Sequence, residues 1–156
     1  MLIKNVMITD VVSVKKDSAI KELLKTLVTN HIGGVPVIDQ DGYLTGMTSD
    51  GDVIRYLQPK GRNIYDAFYM VFFNEKMTFE ESVETRMQQE VQEIMKKNIY
   101  TVYPDDSIEQ ALSIFAGHHF KKIPVIDHSN TVVGVVSRGD IMRMISNQII
   151  THDNDQ

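Results

Sequence analysis

The chain carries the same segment twice. A shift of 88 positions lays Met7 on Met95 and keeps register without a gap to Leu57 on Ile145. Val35-Pro36-Val37-Ile38-Asp39 falls on Ile123-Pro124-Val125-Ile126-Asp127, and the stretch Gly46 to Arg55 falls on Gly134 to Arg143. A unit of about 50 residues buries too little surface to stand well alone, so two copies are expected to cover each other's apolar faces. A cleft between such copies is a natural ligand site.

Composition sets the class around that duplication. Of 156 residues, 42% are hydrophobic and 24% charged, the balance of an ordinary globular chain. No run of about 18 apolar residues and no charged-then-apolar leader is present, which leaves neither a membrane span nor a secretory signal supported and makes cytoplasm the expected location. With no cysteine, disulfides, thiolate nucleophiles and thiolate metal sites are all excluded. A net charge of −5, with no basic run longer than pairs such as Lys15-Lys16 or Lys121-Lys122, argues against nonspecific nucleic-acid binding, which needs many phosphates neutralised on one surface.

Each copy reads as strand, helix, strand, strand, helix. In the second, Ile99 to Val102 is a short β-branched and aromatic run; after Pro104, Asp106-Ser107-Ile108-Glu109 predicts a capped helix start. Ile108, Ala111, Leu112 and Phe115 then recur at helical spacing. The apolar runs at Ile123 and at Thr131 to Val136 predict paired strands, and a last helix from about Gly139 carries Ile141, Met142 and Ile145. Asp41-Gly42 and Ser129-Asn130 mark the two hairpin turns.

These residues carry a family resemblance. Thr101-Val102-x-Pro104, a helix, Ile123 to Asp127, then Gly134-Val135-Val136-Ser137-x-x-Asp140 and a closing helix resemble the cystathionine-β-synthase (CBS) domain. Both copies match, so the chain resembles a tandem CBS pair, or Bateman module. The resemblance implies an α+β fold of two tandem CBS repeats, β-α-β-β-α each, packed sheet to sheet, with a helical insertion between them. Boundaries are expected at 1–57 and 94–150 for the repeats, 58–93 for the insertion and 151–156 for a disordered tail. It also implies a homodimer, a regulated partner protein, and an adenosine-containing regulatory ligand: AMP, ADP or ATP first, with S-adenosylmethionine, NAD or cyclic di-AMP as further candidates; no paired carboxylates with a nearby base and no activated nucleophile support an enzyme.

The chemistry of Ser-x-x-Asp fits that implication. At a strand-to-helix turn Ser137 can donate its hydroxyl while free N–H groups at the helix start meet a phosphate. Asp140 can accept both ribose hydroxyls, and Arg138 between them offers a fork suited to phosphate. Val136, with Val135, Thr101 and Val102, would make a slot for adenine. The same Ser and Asp are equally an ordinary helix cap.

In the first copy Ser49 and Asp52 are retained, but Asp50 stands where the second has Arg138, and Gly33-Gly34 stands where the second has Lys121-Lys122. Lys122 is a candidate phosphate contact, since a basic residue in this place often reaches the phosphates in CBS modules. Unequal clefts follow, with the Arg138 side expected to favour phosphate and the Asp50 side to be empty, nucleoside-selective or metal-dependent.

Other chemistry finds little support. His118, His119 and His128 lack helical metal-ligand spacing, and no metal site is expected. Gly134-Val-Val-Ser137 places glycine three residues before the serine, where a nucleophile elbow needs two. The connection from Gln58 to Ile94 is too long for a structureless loop. It holds a dense aromatic stretch, Ile64 to Phe73, followed by a helix opening at Thr78 whose stripe Phe79, Val83, Met87, Val91 and Ile94 is expected to join the core. The alternative function is therefore an interaction module with empty clefts, acting through the aromatic insert.

Overall fold

The computed structural model describes residues 1–58 and 78–153; the aromatic stretch Ile64 to Phe73 and the last three residues lie outside them. The first repeat comprises β1 (Val14–Lys15), α1 (Ile20–Thr29), β2 (Gly34–Ile38), β3 (Leu44–Ser49) and α2 (Asp50–Leu57). Then α3 (Phe79–Met87) leads to the second repeat: α4 (Ile108–Gly117), β4 (Lys122–Ile126), β5 (Val132–Ser137) and α5 (Arg138–Asp153). Because α5 runs on to Asp153, residues 151–153 are helix and not the start of a tail.

The first sheet has the order β1-β2-β3, with β1 parallel to β2 and β3 antiparallel to it. In the second sheet β4 and β5 pair in the same register, Lys122 with Ser137 as Gly34 with Ser49. The predicted strand Ile99 to Val102 shrinks to one parallel bridge between Val102 and Val125. Its cause is local: the Tyr103 N–H donates to Asp106 Oδ2 at 2.7 Å, which turns the chain away from the ladder. Both hairpins close on an aspartate, with Asp39 Oδ1 accepting from Asp41 N and Tyr43 N, and Asp127 Oδ1 from Ser129 N and Thr131 N. Left-handed residues complete the turns, Gly42 at φ 87° and Asn130 at φ 62°.

The repeats exchange their leading segments. Ile3, fully buried, sits in the core of the second repeat beside Val102, Ile108 and Ile123, while its counterpart Val91 sits in the core of the first beside Ile20, Leu23 and Val35. Backbone bonds follow the same swap: Ile3 N donates to Asp106 O and Val91 N to Ser18 O, each at 2.9 Å. These arms also cap the helices. Ile108 N donates to Met1 O and Ile20 N to Gln89 O, so Ser107 stands at the N-cap of α4 without a side-chain cap bond. Met87 and Val91 therefore belong to the first repeat's core, although sequence assigned them to the insertion; Phe79, at the other end of the stripe, is exposed.

Each arm then crosses the last strand of the other repeat. Lys96 and Met47 exchange backbone bonds of 2.8 and 2.9 Å, as Ile8 and Val135 do at 2.9 and 3.0 Å. A glycine makes room at each crossing: a Cβ on Gly46 would lie 2.6 Å from Lys96 O, and one on Gly134 would lie 2.8 Å from Met7 Sδ. At the hairpin tips Leu44 N donates to Asn130 O at 3.0 Å, joining the two sheets.

Candidate functional site

Both Ser-x-x-Asp motifs lie where a β-strand becomes a helix, and both are closed capping boxes. Asp52 Oδ2 accepts from Ser49 N at 2.9 Å and from Ser49 Oγ at 3.1 Å, while Asp52 N donates to Ser49 Oγ at 3.4 Å. Asp140 and Ser137 repeat this at 2.8, 2.6 and 3.2 Å. A guanidinium one turn on takes the other carboxylate oxygen: Arg55 reaches Asp52 Oδ1 at 2.6 Å, and Arg143 likewise reaches Asp140 Oδ1. The carboxylates are 8% and 7% exposed, but the arginines are largely in solvent, so a ligand hydroxyl can displace them at small cost.

The more enclosed cleft lies at the first motif, and a more open depression lies at the one favoured by sequence. The cleft encloses about 180 Å³ between Ser49, Asp52 and Arg55 of the first repeat and Lys96, Tyr100, Phe120, Lys121 and Lys122 of the second. The Tyr100 and Phe120 rings lie 5.6 Å apart, and Tyr100 stacks with His118 at 4.4 Å, giving that side an aromatic wall. Lys121 Nζ stands 3.2 Å from Asp50 Oδ1, an ion pair between the repeats. A Cβ on Gly33 would meet both partners, at 3.9 and 3.6 Å. Lys121 thus faces Asp50 across the cleft and answers the like-charge objection to that side.

The second motif borders a wider, shallower depression shared with Asn5, Val6, Arg143 and Asn147. Arg138 is turned away from it. Its guanidinium donates to Phe120 O at 2.9 Å, His118 O at 2.9 Å and Phe115 O at 3.3 Å, which ties down the end of α4 and the loop after it. Arg138 is a positioning residue for the loop that carries Phe120 and Lys121. The predicted adenine slot is also corrected: Val136 and Val102 are 0% and 1% exposed in the core, and Thr101 lines neither space. Of the sequence-derived set, Ser49, Asp52 and Lys122 come together in one cleft, while Asp140 edges the other.

Burial depresses the Lys122 ammonium below its usual range, with Asp140 partly opposing the effect. Sequence reasoning missed Lys96, Tyr100 and Arg55. Their signal lay in the overlay, where Lys96 and Tyr100 stand opposite Ile8 and Val12. Among the described residues no group of three histidine or acidic side chains is placed to hold a metal ion.

The profile of the CBS domain matches residues 3–59 and 91–147. The chain belongs to the CBS-domain family. MJ1426 of Methanocaldococcus jannaschii is 24% identical over 154 residues, which cover 93% of this chain and 91% of that one. Among solved structures, CBSX2 in complex with AMP superposes with a TM-score of 0.73 at 21% identity, covering 95% of this CBS pair and 97% of that chain. The CBS pair of MJ0100, bound to 5′-methylthioadenosine and S-adenosyl-L-methionine, gives 0.68 at 20% identity, with coverage of 95% and 98%. At these identities the likeness establishes the fold.

Proposed function

We propose that this CBS pair is a regulatory sensor that binds an adenosine-containing nucleotide in the Ser49–Asp52 cleft and passes the bound state to a partner protein without turning the ligand over. The observation that carries the reading is the make-up of that cleft: a buried carboxyl acceptor in Asp52, an aromatic wall, and ammonium groups on the facing side. Asp52 suits a pair of ribose hydroxyls, the Tyr100 and Phe120 rings suit a planar base, and the lysines suit phosphate. The AMP held by CBSX2 and the nucleosides held by MJ0100 support the same ligand class. Since the cleft is walled by both repeats, a ligand that fits one spacing of the repeats shifts the population toward it.

The pair acts as a homodimer in this reading. Leu24 of α1 and Ile54 of α2 are exposed, and so are their counterparts Leu112 of α4 and Met142 of α5. An apolar face kept in both copies is what a second, equally two-fold body would cover.

Thermal unfolding of the full chain across AMP, ADP, ATP, NAD, S-adenosylmethionine and cyclic di-AMP tests the ligand. A ligand at 100 times its Kd adds about 2.7 kcal/mol. The expected result is a rise in Tm for wild type and for Asp140→Asn, and none for Asp52→Asn, which keeps an oxygen for the cap but loses the charge. No rise with any ligand in a folded wild type refutes the sensor reading.

A further inference from the structure

The nucleotide reading leaves open what distinguishes one adenosine ligand from another, and here the two clefts differ in one respect that the overlay isolates. The first motif faces Lys96, Lys121 and Lys122; the 88-residue shift puts Ile8, Gly33 and Gly34 in those places for the second motif. One cleft has gained three ammonium groups that its twin lacks.

The cations of this cleft are incompletely paired. Arg55 is held by Asp52 and Lys121 by Asp50, but among the described residues neither Lys96 nor Lys122 has a carboxylate within ion-pair distance. Lys122 is half-buried, and its ammonium is disfavoured there by desolvation. Asp140 offsets that only in part, so the ammonium is one that an incoming anion stabilises. The start of α2 is not where that anion goes. Asp50 N donates to Gly33 O at 3.0 Å, Gly51 N to Asp50 Oδ1 at 2.7 Å, and Asp52 N to Ser49 Oγ, so the helix N–H groups are occupied and a carboxylate sits over them. The anion is pushed across the cleft toward the second repeat.

We propose, resting on the nucleotide reading above, that the Ser49–Asp52 cleft selects its ligand by phosphate number: Lys96, Lys121 and Lys122 require a di- or triphosphate, and a monophosphate or an uncharged adenosine derivative is held only weakly. A single phosphate brings too little charge to satisfy Lys122 and Lys96 and also draw Lys121 from Asp50. A second and third phosphate supply it, and the exchange of Lys121 from Asp50 to phosphate breaks the ion pair between the repeats only when such a ligand is present.

Calorimetric titration of the full chain with adenosine, AMP, ADP and ATP, at low and high salt, measures the discrimination. Inorganic tripolyphosphate serves as a competitor and as a ligand by itself. ADP and ATP are expected to bind about tenfold or more tightly than AMP, the scale of one added charge-assisted contact. That preference should shrink as salt is raised. In the double variant Lys96→Met, Lys121→Met, both exposed positions, the preference should collapse to within about twofold. Equal affinity for AMP and ATP, or a preference that survives the double variant, overturns the proposal and leaves the adenosine reading intact. If tripolyphosphate binds as tightly as ATP and loses affinity in the double variant, the lysines read phosphate as proposed and it is the adenosine reading that falls.

Discussion

Thr48 gives the sharpest test of the packing. It lies in β3 at 2% exposure, and among the described residues its Oγ1 has no hydrogen-bond partner. Its counterpart in the second repeat is Val136, at 0% exposure in the same place of the same strand. The two side chains differ by a hydroxyl in place of a methyl, so the second repeat already demonstrates that valine fits. A buried hydroxyl without a partner costs about 1–3 kcal/mol, whereas a methyl there costs nothing and adds apolar burial. Thr48→Val should therefore raise the unfolding free energy by about 1–2 kcal/mol, a Tm increase of roughly 3–6 °C for a chain of this size. Urea unfolding is the assay, with a shifted midpoint and an unchanged m-value as the expected form. Val136→Thr should do the reverse and cost about 1–3 kcal/mol. A Thr48→Val protein that is no more stable than wild type refutes the reasoning, because it means that the hydroxyl is satisfied.

Two further changes follow from the site. Arg138→Ala should cost about 1 kcal/mol through three lost charge-assisted bonds to carbonyls, discounted for exposure, and hydrogen exchange should quicken in residues 117–121. Unchanged exchange there means that Arg138 does not hold the loop. Lys122→Met should stabilise the unliganded protein near pH 7. The folded state lowers the Lys122 pKa from 10.5, so the charged form is penalised at all pH below the folded value, and that penalty fades as pH rises through the folded value to 10.5. Unfolding curves from pH 7 to 11 should show the variant's advantage shrinking with pH; an advantage independent of pH points to packing instead of charge.

Much of the fold was legible because it rests on local pattern. Helical spacing at Ile108, Ala111 and Phe115 and the aspartate-led hairpins at Asp39 and Asp127 are written within a few residues of where they act. What was not legible depends on the crossing arms. Asp106-Ser107 has the composition of a side-chain cap, yet the carbonyl of Met1 reaches Ile108 N first, and Asp106 is left to turn Tyr103. No window of sequence around α4 contains residue 1. Val91, on a stripe expected to join the core, does so, but nothing near it in sequence says that the core is the first repeat's.

The placement of Lys121 has the same origin. The overlay sets Arg138 and Lys121-Lys122 against Asp50 and Gly33-Gly34, which makes one side basic and the other acidic. The crossing of Lys96 over Met47 brings the start of the second repeat onto the first repeat's motif, and Lys121 meets Asp50 instead. Two charge differences that look like reinforcing asymmetries in the sequence are complementary partners in space. That also explains why Arg138 is free to bind carbonyls. The position held by Asp50, which pairs with Lys121, is Arg138 in the other repeat, where the overlay sets glycine in place of the lysine, and the guanidinium bonds carbonyls after α4. The duplicated frame has thus put one copy of the position to work in an ion pair between repeats and the other in closing a helix.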